Sequence, residues 1–154
     1  MNRRCWLVKS GPESYSFNDL LAEPGQTAEW DGVRNFQARN NLQAMRPGDG
    51  VLFYHSNAKP NAIVGLATVV REAYPDHTAW DPNSMHPDAK STQEHPIWFM
   101  VDLRAERTLR RPVPLEAIKP TPGLEQMALL RNSRLSVQPV TEQEWALILK
   151  LAGE

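Results

Sequence analysis

The chain has 154 residues, of which 41% are apolar, so it is long enough to bury one core and too short for two ordinary domains. Its 17 basic and 18 acidic side chains give a net charge of −1 at pH 7, which excludes a protein that holds duplex DNA through a large positive field. A single cysteine, Cys5, and the lack of a signal-like or membrane-spanning apolar run predict a cytoplasmic protein.

The N-terminal part of the chain predicts one strand and two helices. Residues 5–9 form a short apolar run that is typical of a buried strand. Ser16 begins a capping box, which predicts a short helix ending near Glu23. Residues 35–45 carry apolar side chains at helical spacing and predict the second helix.

The middle of the chain predicts a β-hairpin followed by a long loop. Residues 51–55 and 62–70 are β-prone runs joined by six polar residues. Gly65 lies inside the second run and indicates a bulge or a close approach of backbone or ligand. Residues 75–96 contain four prolines and three histidines and predict a functional or mobile loop.

The C-terminal part predicts a strand over 97–103 and basic residues continuing to 111. Three short elements and a final helix are then expected: a helical turn over 114–118, a helix over 123–130, an extended piece over 135–139 and a helix capped by Thr141. Strands interleaved with short helices, without regular βαβ alternation, predict an α+β domain with a bent or closed sheet over residues 1–154 rather than a Rossmann fold.

Few sequence motifs indicate catalytic chemistry. The chain has no Gly-rich phosphate loop, no Cys-pair metal motif and no His-Glu-x-x-His, so we expect neither a metal nor a cofactor. Asp31 and His55 are the one acid–base pair that the sequence offers, and a structural hydrogen-bonding role fits each of them equally well. An enzyme acting on a nucleotide or modified RNA therefore stays an alternative to a binding module.

Residues 30–41 combine an aromatic side chain, amides and two arginines at a junction between a loop and a helix. Such a set can stack on a nucleobase and hydrogen-bond its edge. A structural interpretation is also open, in which Trp30 and Phe36 fix the helix to the core and Asn35 caps it.

Several segments in sequence order resemble the EVE domain: 6–10, 30–35, 51–56, 65–67, 70–76 and 134–140. This resemblance implies a PUA-like fold, a small bent β-barrel flanked by helices and related to the YTH and ASCH domains. It also implies a non-catalytic reader of modified DNA bases, notably cytosine substituted at position 5. A regulatory domain that binds a small metabolite remains a further alternative.

The resemblance also implies which residues frame the pocket. Aromatic rings would hold a base taken out of its stack, hydroxyl, amide and imidazole groups would read its edge, and basic side chains would meet the phosphate. The expected ligand contacts are Lys9, Ser10, Trp30, Asn35, Tyr54, His55, Ser56, Arg134 and Ser136. The expected partner is DNA that carries a modified base, bound at one pocket with a small basic rim.

Overall fold

The computed structural model describes residues 3–154, which form six strands and five α-helices. The strands are β1 (Cys5–Ser10), β2 (Thr27–Glu29), β3 (Gly50–His55), β4 (Ala62–Pro75), β5 (Phe99–Pro114) and β6 (Val137–Val140). The helices are α1 (Phe17–Leu21), α2 (Phe36–Ala44), α3 (Leu115–Ile118), α4 (Ala128–Arg131) and α5 (Glu142–Leu151). Two short 3-10 turns, Pro24–Gln26 and His77–Trp80, precede β2 and follow β4.

One mixed sheet contains all six strands in the order β2-β5-β4-β3-β1-β6. Its β1–β3 pair is parallel, whereas the other pairs are antiparallel. The β4–β5 ladder has several register shifts, which bend long strands and increase their twist. The predicted α+β class is therefore confirmed, and the bent sheet with short flanking helices is the PUA-like architecture that the resemblance implied.

The alternation of side chains along the strands divides the core into two clusters on opposite faces of the sheet. Trp6 and Phe53 lie in the cluster that also receives α1 and α2. Their neighbours Leu7 and Tyr54 lie in the cluster covered by α3, α4 and α5. Among the helices of residues 3–154, none has the length and apolar character needed to cross a bilayer.

Most predicted elements are confirmed. Two have different bounds, and one strand was not predicted. The strand predicted over 97–103 and the basic stretch after it form one strand, β5, because both pair with β4 along its length. The helix predicted over 123–130 is shortened to α4, since residues 121–127 form successive turns. Strand β2 was not predicted, because three residues cannot show a period and its pairing with β5 is non-local.

Gly65 lies at an irregularity of the ladder, as its sequence position indicated, and the group that approaches it closely is a side chain rather than backbone or ligand. The ladder register shifts beside it, between Ile63 and Gly65. A Cβ atom at this position would lie 2.5 Å from Cε2 of Phe17, which is buried and packs edge-on against Phe53 with ring centroids 5.2 Å apart. The missing side chain thus lets α1 dock on the sheet.

We expect Gly65→Ala to lower the free energy of unfolding by about 1–3 kcal/mol, because the added methyl group overpacks the core against Phe17. Urea denaturation would measure the change. Gly11→Ala is the control, since its Cβ would meet only the Ser56 carbonyl oxygen at 3.7 Å. Equal effects of the two substitutions would contradict the packing explanation.

Candidate ligand-binding cleft

A cleft of about 950 Å³ opens at one end of the sheet. Its walls come from the end of β1, the loop before α1, β2 with the segment after it, and the loop after β4. Ser136, just before β6, completes the lining. Drug-sized ligands typically occupy pockets of roughly 300–1,000 Å³, so the cleft has room for a nucleobase with its sugar.

Trp30 lies where the cleft meets the core. Its backbone N–H donates to the Val101 carbonyl at 2.8 Å, which continues the pairing of β2 with β5. Its ring meets Tyr15 and Phe53 edge-on, with centroids 6.1 and 5.4 Å away. Only 8% of Trp30 is exposed, so it packs in the core and also lines the cleft.

Tyr15 forms an adjacent aromatic part of the wall. Its hydroxyl donates to Oε2 of Glu23 at 2.7 Å, and its backbone carbonyl accepts from Oγ of Ser10 at 2.7 Å. Burial, and then the hydrogen bond to Glu23, raise the pKa of the Tyr15 hydroxyl. Tyr15 therefore remains a neutral aromatic group in a defined orientation.

Asp76 joins two walls of the cleft, the segment after β2 and the loop after β4. Its side chain is fully buried, with Oδ2 accepting from the Gly32 amide and from Nη1 of Arg34, both at 2.9 Å. Oδ1 accepts from the Thr78 amide at 2.9 Å and from the Thr78 hydroxyl at 2.5 Å. Burial alone would raise the pKa of Asp76, but these hydrogen bonds and the Arg34 charge hold it below its usual value.

The loop after β4 is fixed at a second point by Gly32 and Arg34. Gly32 has a φ of +80°, and a Cβ there would lie 2.6 Å from Cδ2 of His86, so the imidazole covers bare backbone. Nε and Nη2 of Arg34 donate to the His86 carbonyl at 3.1 and 2.6 Å. Part of the predicted 75–96 loop is thus held against the segment after Trp30.

The residues that line the cleft include more acidic than basic side chains, whereas we expected a small basic rim from the sequence. It contains the carboxylates Glu13, Glu23, Glu29 and Asp31, against the basic residues Lys9 and Arg34 and the imidazole of His86. Desolvation, followed by repulsion from Asp76, raises the pKa of Asp31. Burial lowers the pKa of Lys9, whose Nζ donates to the Ser133 carbonyl at 2.6 Å.

Four of the predicted site residues line this cleft: Lys9, Ser10, Trp30 and Ser136. The others lie outside its lining. Asn35 caps α2 by accepting from the Ala38 amide at 2.9 Å, and Tyr54 is buried in the opposite core cluster. Ser56 donates its backbone N–H to the Ser10 carbonyl at 3.0 Å, and Arg134 is exposed to solvent.

His55 is also outside the cleft lining. Its Nε2 accepts from the Phe17 amide at 3.1 Å, and burial lowers its pKa. Asp31, the partner suggested by the sequence, does line the cleft. His55 thus contacts the start of α1, and His55 and Asp31 do not line the same cavity.

Several residues that line the cleft were not predicted by any pattern in the sequence. Tyr15 and Glu23 meet only because α1 folds back between them, and Thr78, Ser84 and Met85 come from a loop without periodicity. The loop-to-helix junction at 30–41 was a partial signal. Trp30 is in the core and Asn35 caps the helix, whereas Phe36 is 58% exposed and stacks on Trp98 instead of fixing the helix to the core.

The EVE domain model matches residues 4–151. The chain is 47% identical to mouse thymocyte nuclear protein 1 over 163 residues, covering 95% of this chain and 72% of the mouse protein. It is similar to the solved structure of the human THYN1 protein in complex with DNA containing 5-methylcytosine, with a TM-score of 0.93, 43% identity and 98% of each chain covered. A hypothetical protein from Leishmania major is also similar, with a TM-score of 0.94, 45% identity, and 99% of this chain and 96% of that one covered.

We expect Asp76→Asn to lower the free energy of unfolding by about 2–4 kcal/mol at pH 7, because Arg34 then lacks its charged partner. The folded pKa of Asp76 lies below the unfolded value of about 3.9, so its contribution is present above that value and is lost as the pH falls through the folded pKa. The difference between the two proteins should therefore shrink in acid.

Urea denaturation across the acidic range would measure this convergence. The control is Asp81→Asn, because Asp81 is exposed and its Oδ1 accepts only from the Asn83 amide at 2.9 Å. A stability difference for Asp76→Asn that stays constant with pH would show that the carboxylate charge is not responsible.

Proposed function

The chain belongs to the EVE domain family, and we propose that its cleft holds a modified nucleobase in DNA, a cytosine substituted at position 5, without changing it chemically. The observation that carries the proposal is the similarity, over 98% of the chain, to the human THYN1 protein in complex with DNA containing 5-methylcytosine. We further propose that residues 1–154 act as one such domain and that the protein is cytoplasmic.

The depth of Trp30 supports a base that leaves its helical stack. Trp30 is 8% exposed at the inner part of the cleft, so a base that stays paired in a duplex cannot reach it. Proteins that act on a single base rotate it out of the duplex and hold it between aromatic or apolar side chains. Trp30 and Tyr15 supply such surfaces, and Val33 adds an apolar group for the methyl at position 5.

The acidic lining suits cytosine. Its exocyclic amino group is a hydrogen-bond donor, and carboxylates are the side chains that accept from it. Glu23 already accepts from Tyr15, and Glu29 lies beside two other polar groups, with Oε2 3.1 Å from the Tyr74 hydroxyl and Oε1 3.3 Å from Nε2 of His77. Of the two remaining carboxylates, Glu13 and Asp31, we propose Asp31 as the acceptor for the amino group because it directly follows Trp30, with the hydroxyls of Ser10 and Ser136 as neighbouring polar contacts.

Lys9 and Arg34 are the proposed phosphate contacts. Lys9 lies at the end of β1, with its Nζ 5.8 Å from the centroid of the Tyr54 ring. Arg34 is mostly occupied by Asp76 and the His86 carbonyl. Two basic residues beside four carboxylates cannot hold DNA by charge alone, so affinity should come mainly from the extruded base.

We expect an oligonucleotide with one 5-methylcytosine to bind more tightly than the same oligonucleotide with cytosine, because only the methylated base contacts the apolar wall with its 5-substituent. Fluorescence anisotropy with both strands at matched salt would measure the difference. Equal affinities would contradict the proposed function.

Two substitutions of Trp30 test the stacking contact with the base. Trp30→Ala should lose about 1–3 kcal/mol of binding free energy, the usual value of one base stacked on an aromatic ring. Because this ring is also core, Trp30→Phe is the second variant: it keeps an aromatic group in the core and should weaken binding in the same direction by less. Thermal unfolding of both variants separates loss of binding from loss of fold.

Asp31→Ala should weaken binding to the methylated oligonucleotide by about tenfold, or about 1.4 kcal/mol, because the amino group of the base loses its acceptor. The control is Glu72→Ala, which removes an equal charge from an exposed position on β4 outside the cleft lining. If both variants weaken binding equally, net charge rather than a contact with the base explains the effect.

A further inference from the structure

Met85 is an exposed apolar side chain at the cleft. It is 88% exposed, and it also lines the cleft. Phe36 is the other large apolar side chain that is exposed in the described part of the chain, but its ring stacks on Trp98 with centroids 4.8 Å apart. Met85 thus presents a long, flexible apolar side chain to solvent at the edge of the proposed binding site.

The backbone that carries Met85 is held on both sides. Oγ of Ser84 donates to the Thr78 carbonyl at 2.5 Å and accepts from the His86 amide at 3.2 Å. The His86 carbonyl in turn accepts from Nη2 of Arg34 at 2.6 Å. An apolar side chain on such a fixed turn meets a ligand without the entropic cost of first ordering its loop.

We propose that Met85 inserts into the base stack of duplex DNA at the position left by the extruded base. This inference rests on the proposed function, because it needs a base in the cleft. It adds a duplex partner and a second apolar contact to that function. The ligand is double-stranded DNA, with one base held beside Trp30 and the resulting gap filled by the Met85 side chain.

The chemistry of the gap favours this assignment. Extruding a base loses stacking and pairing, and apolar side chains such as Met, Leu and Phe that insert at the gap contact the exposed faces of neighbouring bases. Methionine suits this role because its unbranched, polarizable side chain adapts to irregular gaps. A single strand has no pairing to break and less stacking to lose, so Met85 should matter mainly for a duplex.

The test compares Met85→Ala with the unmodified protein on two ligands, a duplex that contains one 5-methylcytosine and the corresponding single strand. We expect Met85→Ala to bind the duplex about tenfold more weakly and the single strand within about twofold, and Met85→Leu to bind both ligands nearly as the unmodified protein does. Asn83→Ala is the matched control, because Asn83 is exposed on the same segment and outside the cleft lining.

A 2-aminopurine placed beside the methylated base in the duplex gives a second readout, since its fluorescence rises when stacking is lost. Met85→Ala should reduce that rise at equal occupancy. Equal losses on duplex and single strand, or no loss on the duplex, would overturn the role of Met85. If the unmodified protein does not distinguish methylated from unmethylated single strands, the proposed function fails instead, which separates the two results.

Discussion

The carboxylate of Asp76 joins the two segments that form the cleft. It is fully buried, and it binds the Gly32 amide and Arg34 on one side of the cleft and Thr78 on the other. A buried carboxylate is stable only when such donors surround it, so the segments cannot separate without exposing an unpaired charge. The position of the loop that carries His86, and therefore one side of the cleft, depends on this ionised group together with the hydrogen bonds from Arg34 to the His86 carbonyl.

The sequence predicted those parts of the molecule that local patterns determine. Capping boxes at Ser16 and Thr141 located α1 and α5, and the β-prone runs located β3 and β4. The site was harder to predict, because its residues meet through non-local pairing. Trp30 was expected from its motif. Tyr15 reaches the cleft only through the path of the chain between β1 and α1, and no periodic pattern in the sequence predicts that path.

The resemblance to the EVE domain also implied ligand contacts from residues that lie outside the cleft lining. Asn35 caps α2, and His55 accepts from the Phe17 amide at the start of α1. A motif groups residues that are neighbours in sequence, and adjacent residues of a strand point to opposite faces of the sheet. Phe53 and Tyr54 illustrate this difference, because they are adjacent in β3 and lie in opposite core clusters.

In the proposed complex, a cytosine substituted at position 5 lies in the cleft beside Trp30. NMR of DNA with a ¹³C-labelled methyl group on one 5-methylcytosine tests this claim directly, because an aromatic ring shifts the resonance of a methyl group that it contacts. We expect the bound methyl resonance to shift and to show nuclear Overhauser contacts to Trp30 and Val33. An unshifted methyl resonance at saturating protein, or contacts to residues outside the cleft, would contradict the account.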